Sequence, residues 1–142
     1  MLKISDLLCF PLYLSAKEVT CMYNQKLKPL NLTYTQYIVM MYFWEVKCSN
    51  LKEISKTLML DSSTLTPILK KLENKGFLQR ARSCEDERHL HITLTEAGER
   101  LKEEALPIRD EVGKCVALDD EEKQQLQVIT MKIIAKLREQ DV

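Results

Sequence analysis

Glycine is scarce in this chain, at three residues in 142. Glycine-rich phosphate loops, dinucleotide fingerprints and many-turned β sandwiches all depend on positive-φ positions, so those classes are excluded and helices are expected to dominate. No run approaches the roughly 18 uncharged apolar residues of a membrane span. The N-terminus also lacks the basic, apolar, small-residue succession of a signal peptide, so a cytoplasmic location with no membrane partner is the expectation. Net charge is absent too, with 21 Lys and Arg against 21 Asp and Glu, and the whole-chain balance therefore says nothing about nucleic acid. Five cysteines occur, Cys9, Cys21, Cys48, Cys84 and Cys115, without any C-x-x-C pair. That excludes a zinc ribbon or thioredoxin-type motif, and the default for each thiol in a reducing cytosol is a buried, inert side chain. No cofactor is expected.

What is present is an ordinary soluble composition, 45% hydrophobic and 30% charged, at the length of one compact domain spanning 1–142. The charge is unevenly spread. Residues 1–50 carry five Lys/Arg and three Asp/Glu, residues 51–91 eight and six, and residues 92–142 eight and twelve. The local extreme is 70–82, where Lys70, Lys71, Lys75, Arg80 and Arg82 face only Glu73, a modest basic patch.

The first helix is expected from Leu2 to about Leu27. It is apolar nearly all round between Leu7 and Leu14, which calls for a partner subunit, and Pro11 should kink it near Cys9 by removing the bond to the Leu7 carbonyl. Thr33-Tyr34-Thr35-Gln36 has the form of a capping box opening a core helix with Tyr37, Ile38, Met40, Met41, Phe43 and Trp44. Asn50-Leu51-Lys52-Glu53 starts a short helix ending near Leu58. After a break at Met59-Leu60, Asp61, Ser62 and Ser63 are alternative caps for a helix through Leu65, Ile68, Leu69 and Leu72, closed by Gly76. Pro67 is tolerated there if the cap is near Ser63. Two short helices with a tight turn make a helix-turn-helix.

The period then changes. Phe77–Arg82 and Arg88–Leu94 read as strands of a β hairpin with a polar tip at 83–87. Thr95-Glu96 starts a helix interrupted or bent near Pro107, and Asp119 caps a last one with Leu126, Ile129, Ile133 and Leu137 on a single stripe. The fold class is mainly α with a small β hairpin: a winged helix-turn-helix. Ser62, Ser63, Thr64 and Thr66 offer hydroxyls to phosphates and base edges at a helix start, Lys70 and Lys71 follow, and Arg80, Arg82 and Arg88 can enter a minor groove. A capped surface helix and a solvated charged turn are the plainer reading of each feature taken singly. Their ordered combination favours DNA.

The run Leu60–Glu73, with Asp86-Glu87-Arg88 and Leu94-Thr95-Glu96-Ala97-Gly98, resembles winged-helix repressors of the MarR family. Leu8-Cys9-Phe10-Pro11-Leu12-Tyr13, Tyr23 and 31–37 resemble its branch that senses organic hydroperoxides, OhrR. The resemblance implies a homodimeric repressor on a pseudo-palindromic double-stranded operator. Residues 31–95 would bind DNA, 1–30 and 96–142 would form the dimerisation helices, and an organic hydroperoxide would be the reacting effector. It makes Cys9 the reactive thiolate, with Tyr13, Tyr23 and Tyr34 hydrogen-bonding near its sulfur. Cys115 resembles in position the distal resolving cysteine of the two-cysteine type, a buried cysteine being the rival. Asp86 would hold Arg88 at the wing foot. Cys21 and Cys48 read as structural, and Cys84 as an exposed by-site of oxidation.

Three other functions compete. A repressor of this type can respond to a small phenolic ligand instead. A metal-responsive regulator could use Cys84, His89 and His91, although zinc ordinarily takes four ligands or three and water. A thiol peroxidase could use Cys9, but no His/Asp relay or cofactor loop accompanies it, so an enzyme is not expected.

Overall fold

The computed structural model describes residues 3–82 and 90–140. Its helices are α1 (Cys9–Leu27), α2 (Tyr34–Val46), α3 (Leu51–Leu58), α4 (Ser62–Asn74), α5 (Glu96–Val116) and α6 (Asp120–Arg138), and its strands are β1 (Cys48–Asn50), β2 (Leu78–Arg82) and β3 (Leu90–Leu94). The contacts gather into two units, Met1–Arg109 and Asp110–Val142.

In the first unit α2 is the centre. Thr33 accepts from the Gln36 N–H at 3.3 Å while Gln36 Oε1 accepts from the Thr33 N–H at 3.3 Å, the reciprocal cap expected there. Tyr37, Val39, Met40, Phe43 and Trp44 are all buried and lie on one side of the helix, with Ile38, Met41 and Tyr42 half-buried beside them. Leu27, Leu32, Ile54, Leu65, Leu69, Leu72, Leu78, Ile92, Leu101, Ala105 and Ile108 are buried with them.

The N-terminal helix departs from the expectation. Ile4–Asp6 form a 3-10 turn, Leu7 is extended, and α1 begins only at Cys9. Pro11 is therefore its third residue, where a missing N–H would have had no helical partner. The Leu7 carbonyl accepts instead from Phe10 at 3.3 Å, so the kink has no cause. Pro67 differs in the other direction. The cap of α4 is Asp61, which puts Pro67 in the second turn and leaves the Ser63 carbonyl without its helical donor. Asn50 caps α3 through the Glu53 N–H at 3.0 Å, as its sequence indicates.

Met59, left-handed at φ 55°, makes the α3–α4 turn. Gly76, at φ 77°, closes α4: its N–H reaches Glu73 O at 2.9 Å and the Phe77 N–H reaches Leu72 O at 3.0 Å. The hairpin is antiparallel, with Arg80 opposite Ile92 and Leu78 opposite Leu94. A third strand, β1, adds to β3 with Ser49 opposite Ile92, giving the order β1-β3-β2. It has no signature in the sequence, because three residues of Cys-Ser-Asn show no alternation. The Thr95 hydroxyl donates to Gly76 O at 2.6 Å and accepts from the Gly98 N–H at 3.0 Å, joining the hairpin foot to α5.

In the second unit Asp119 caps α6 in a capping box with Glu122. Three carboxylates occupy the first turn, Asp120, Glu121 and Glu122, and Lys136 and Arg138 the last, complementing the helix dipole. No residue of α6 is buried, and Leu126, Val128, Ile129, Met131 and Leu137 are all exposed. The helix α5 is unbroken through Pro107, so the expected interruption does not occur. Among the described residues no helix is long and apolar enough to cross a membrane.

Candidate nucleic-acid interface and thiol centre

The helix α4 is split lengthwise by its sequence. Leu65, Leu69 and Leu72 recur at i, i+4 and i+7 and are buried, which turns Ser62, Ser63, Thr64, Thr66, Lys70 and Lys71 outward, where all six are exposed. The Thr66 hydroxyl donates to Ser62 O at 2.7 Å, leaving its oxygen lone pairs outward. This is a hydroxyl-rich surface with lysines one to two turns further on, chemistry suited to base edges and phosphates.

The hairpin lies beside α4. Arg80, on β2, is held by the Glu73 carboxylate of α4, with Nε 2.9 Å from Oε2. The ion pair links β2 to the last turns of α4. Arg82 ends β2. Asp86, Arg88, Cys84 and His89 lie outside the described residues. His91 does not stand alone: its Nδ1 is 3.9 Å from the Cys48 sulfur across the β1–β3 pair. Among the described residues no group of three or more His, Cys, Asp and Glu is placed to hold a metal ion.

The cysteines are not the buried thiols their residue type suggests. Cys9 and Cys21 on α1, Cys48 on β1 and Cys115 near the end of α5 are all exposed. Cys9 stands in the first turn of α1 with Leu8 exposed before it and Tyr13, 63% exposed, one turn beyond. Tyr23 and Tyr34 are elsewhere. Their rings meet at 4.8 Å between centroids, and Tyr23 also stacks on Tyr37 at 5.6 Å. Fourteen residues of helix separate Cys9 from Tyr23, about 21 Å along the axis at 1.5 Å per residue. Within one chain this tyrosine pair cannot reach the Cys9 sulfur.

Two features of the site escaped the sequence reading. Lys75 donates to Gln36 Oε1 at 2.9 Å and to the Asn31 carbonyl, tying the end of α4 to the α1–α2 corner. Burial, with Lys71 beside it, holds the Lys75 ammonium below its ordinary pKa of 10.5. The second is the Lys47–Glu99 ion pair linking the end of α2 to α5. Neither pair has a local spacing that could announce it.

Residues 21–105 match the family described as transcriptional regulator SarA/Rot. The chain belongs to that family. It is 45% identical over 123 residues to the HTH-type transcriptional regulator SarZ of Staphylococcus haemolyticus, covering 87% of this chain and 84% of that one. It is 46% identical over 107 residues to the organic hydroperoxide resistance transcriptional regulator of Bacillus subtilis, covering 75% and 73%. The structure of reduced AbfR bound to DNA superposes with a TM-score of 0.82 at 31% identity, covering 98% and 95%, and disulfide-formed AbfR with 0.65 at 32% identity, covering 96% and 90%. The chain is thus a winged-helix SarA/Rot regulator of the MarR type, related to the organic-hydroperoxide branch. It is a DNA-binding transcriptional regulator, not an enzyme.

Proposed function

We propose that this chain is a cytoplasmic, homodimeric repressor that leaves its operator when an organic hydroperoxide oxidises Cys9. The observation that carries the proposal is the exposure of Cys9 in the first turn of α1, beside the exposed Leu8 and Tyr13, in a chain related to a regulator of organic hydroperoxide resistance. An apolar helix end and the uncovered apolar side chains of α6 call for a second copy. That copy would also bring Tyr23 and Tyr34 to Cys9, which the same chain cannot do. Residues 1–30 and 96–142 then serve dimerisation and 31–95 DNA binding, with Ser62, Ser63, Thr64, Thr66, Lys70, Lys71, Arg80, Arg82 and Arg88 toward DNA and Asp86 orienting Arg88.

In the reaction the Cys9 thiolate attacks a peroxide oxygen and the O–O bond breaks. The alkoxide takes a proton and leaves as an alcohol, and sulfur keeps the other oxygen as sulfenic acid. A Cys115 thiol of the second copy can then attack that sulfur, forming a disulfide and releasing water. Either product changes the packing of the dimerisation helices, and two recognition helices spaced for successive major grooves lose their register. The alternative, release by a small phenolic ligand, is favoured by a 780 Å³ cleft lined by α3, β3 and the start of α4, in which Leu51, Leu90 and Ile92 stand with Lys52, Ser55 and Ser62.

An operator mobility shift separates them. Cumene hydroperoxide at low micromolar excess should release DNA, and a thiol reductant should restore binding. Release by salicylate with no effect of hydroperoxide would replace the thiol reading by the ligand reading.

A further inference from the structure

We infer that the corner where α4 ends against the α1–α2 connection is a binding site for a small, multiply charged oxyanion of phosphate or polycarboxylate type, independent of the thiol chemistry. A cavity of about 470 Å³ opens there, and Lys28, Lys71 and Lys75 line it together with Asn24, Thr33 and Gln36. Among the described residues no carboxylate lines it.

The hydrogen-bond inventory of the lining is one-sided. Every side-chain acceptor named above already holds a donor of the protein: Asn24 Oδ1 takes the Tyr34 N–H at 2.7 Å, Thr33 Oγ1 takes the Gln36 N–H, and Gln36 Oε1 takes both the Thr33 N–H and Lys75. The donors are left over. Lys75 makes two bonds, to Gln36 and to the Asn31 carbonyl, so a third N–H of its ammonium is unspent. The Asn24 amide is oriented by its bond to the Tyr34 N–H, and its NH2 end has no partner among the described residues. Lys28 and Lys71 have no ion pair among the described residues.

A solvated lysine face differs from this in two ways. Its ammonium groups are mobile, whereas Lys75 is half-buried and held by two acceptors, one of them on the buried Gln36. Its charges stand apart, whereas Lys71 and the α4 cap Lys75 are one turn apart, and burial together with this repulsion pulls the Lys75 pKa down. An anion bridging them and Lys28 would remove the repulsion and give each ammonium a charge-assisted partner. It would also join the last turn of the recognition helix to the end of α1.

Calorimetry on the full chain tests this, with inorganic phosphate in one arm and citrate in the other, each against chloride at equal ionic strength. The expected result is one saturable site per chain for at least one anion, with a matching rise in Tm. Lys28→Gln, which removes one charge-assisted bond, should weaken it about tenfold. Lys123→Gln, whose ammonium is already paired with Asp120 at 3.2 Å, should leave it unchanged. Saturation by phosphate alone or citrate alone identifies the source. Absence of saturable binding by both anions overturns the inference, as does an unaltered affinity in Lys28→Gln or an equal loss in Lys123→Gln. Loss of operator affinity in Lys28→Gln without anion binding would assign the corner to the DNA backbone instead.

Discussion

The indole N–H of Trp44 donates to the backbone carbonyl of Gly98 at 2.8 Å, in a buried contact between residues 54 apart in sequence. It fastens α2, the centre of the core, to the first turn of α5. It also requires α5 to come close, and a Cβ on Gly98 would stand 2.3 Å from the Phe77 carbonyl oxygen and 2.7 Å from Leu94 Cδ1.

Gly98→Ala should therefore destabilise the fold by roughly 1–3 kcal/mol, since backbone rather than a flexible side chain must give way. Urea unfolding followed by far-UV circular dichroism measures it. An unchanged midpoint would show that α5 can shift without cost.

The Lys47–Glu99 pair makes a prediction in pH. The hydrogen bond from Lys47 holds the Glu99 carboxyl below its ordinary pKa of 4.5, so the folded state binds fewer protons there than the unfolded chain. The stabilisation is complete above pH 4.5 and is lost as pH falls through the lowered folded pKa. Glu99→Gln should melt slightly below the parent at pH 7 and level with it in strong acid, and 1 M salt should shrink the gap at pH 7. Thermal melts between pH 7 and 2.5 check the sign.

Cys9→Ser should bind the operator like the parent and stay bound when hydroperoxide is added, because a hydroxyl has the size of the thiol without its peroxide chemistry. Tyr13→Phe and Tyr23→Phe should slow release without abolishing it. Release that persists in Cys9→Ser would move the sensor to another cysteine, with Cys84 first in line.

Lys70→Ala should weaken binding to all sequences alike and lower the salt slope by about one unit, as loss of one phosphate contact does. Arg88→Ala should weaken operator binding strongly with the dimer intact. Fluorescence anisotropy at several salt concentrations, with sedimentation for the dimer, tests both. Undiminished affinity in Arg88→Ala would take the wing out of DNA recognition.

Oxidised parent should run as a covalent dimer on a non-reducing gel, and Cys115→Ser as a monomer with further-oxidised Cys9. A disulfide needs Cα atoms within about 7 Å, so the pairing requires a second copy that brings Cys9 and Cys115 together. A covalent dimer surviving in Cys115→Ser would point to Cys21, Cys48 or Cys84.

The local sequence determined the elements whose causes are local. Thr33 with Gln36, Asn50 with Glu53, Asp119 with Glu122 and the glycine at 76 are caps decided within a few residues, and each does what its spacing says. The apolar period of α4 likewise selects its outward face, and with it the hydroxyls and lysines proposed to meet DNA. Tertiary structure decided the rest. Where α1 starts determines that Pro11 is harmless, and only the finished chain shows Cys9 exposed and Tyr23 a helix-length away. The strand β1 exists because β3 offers it an edge, and Lys75 finds Gln36 39 residues away. These are contacts between distant residues, and their free energy comes from packing and desolvation that no window of neighbouring residues contains.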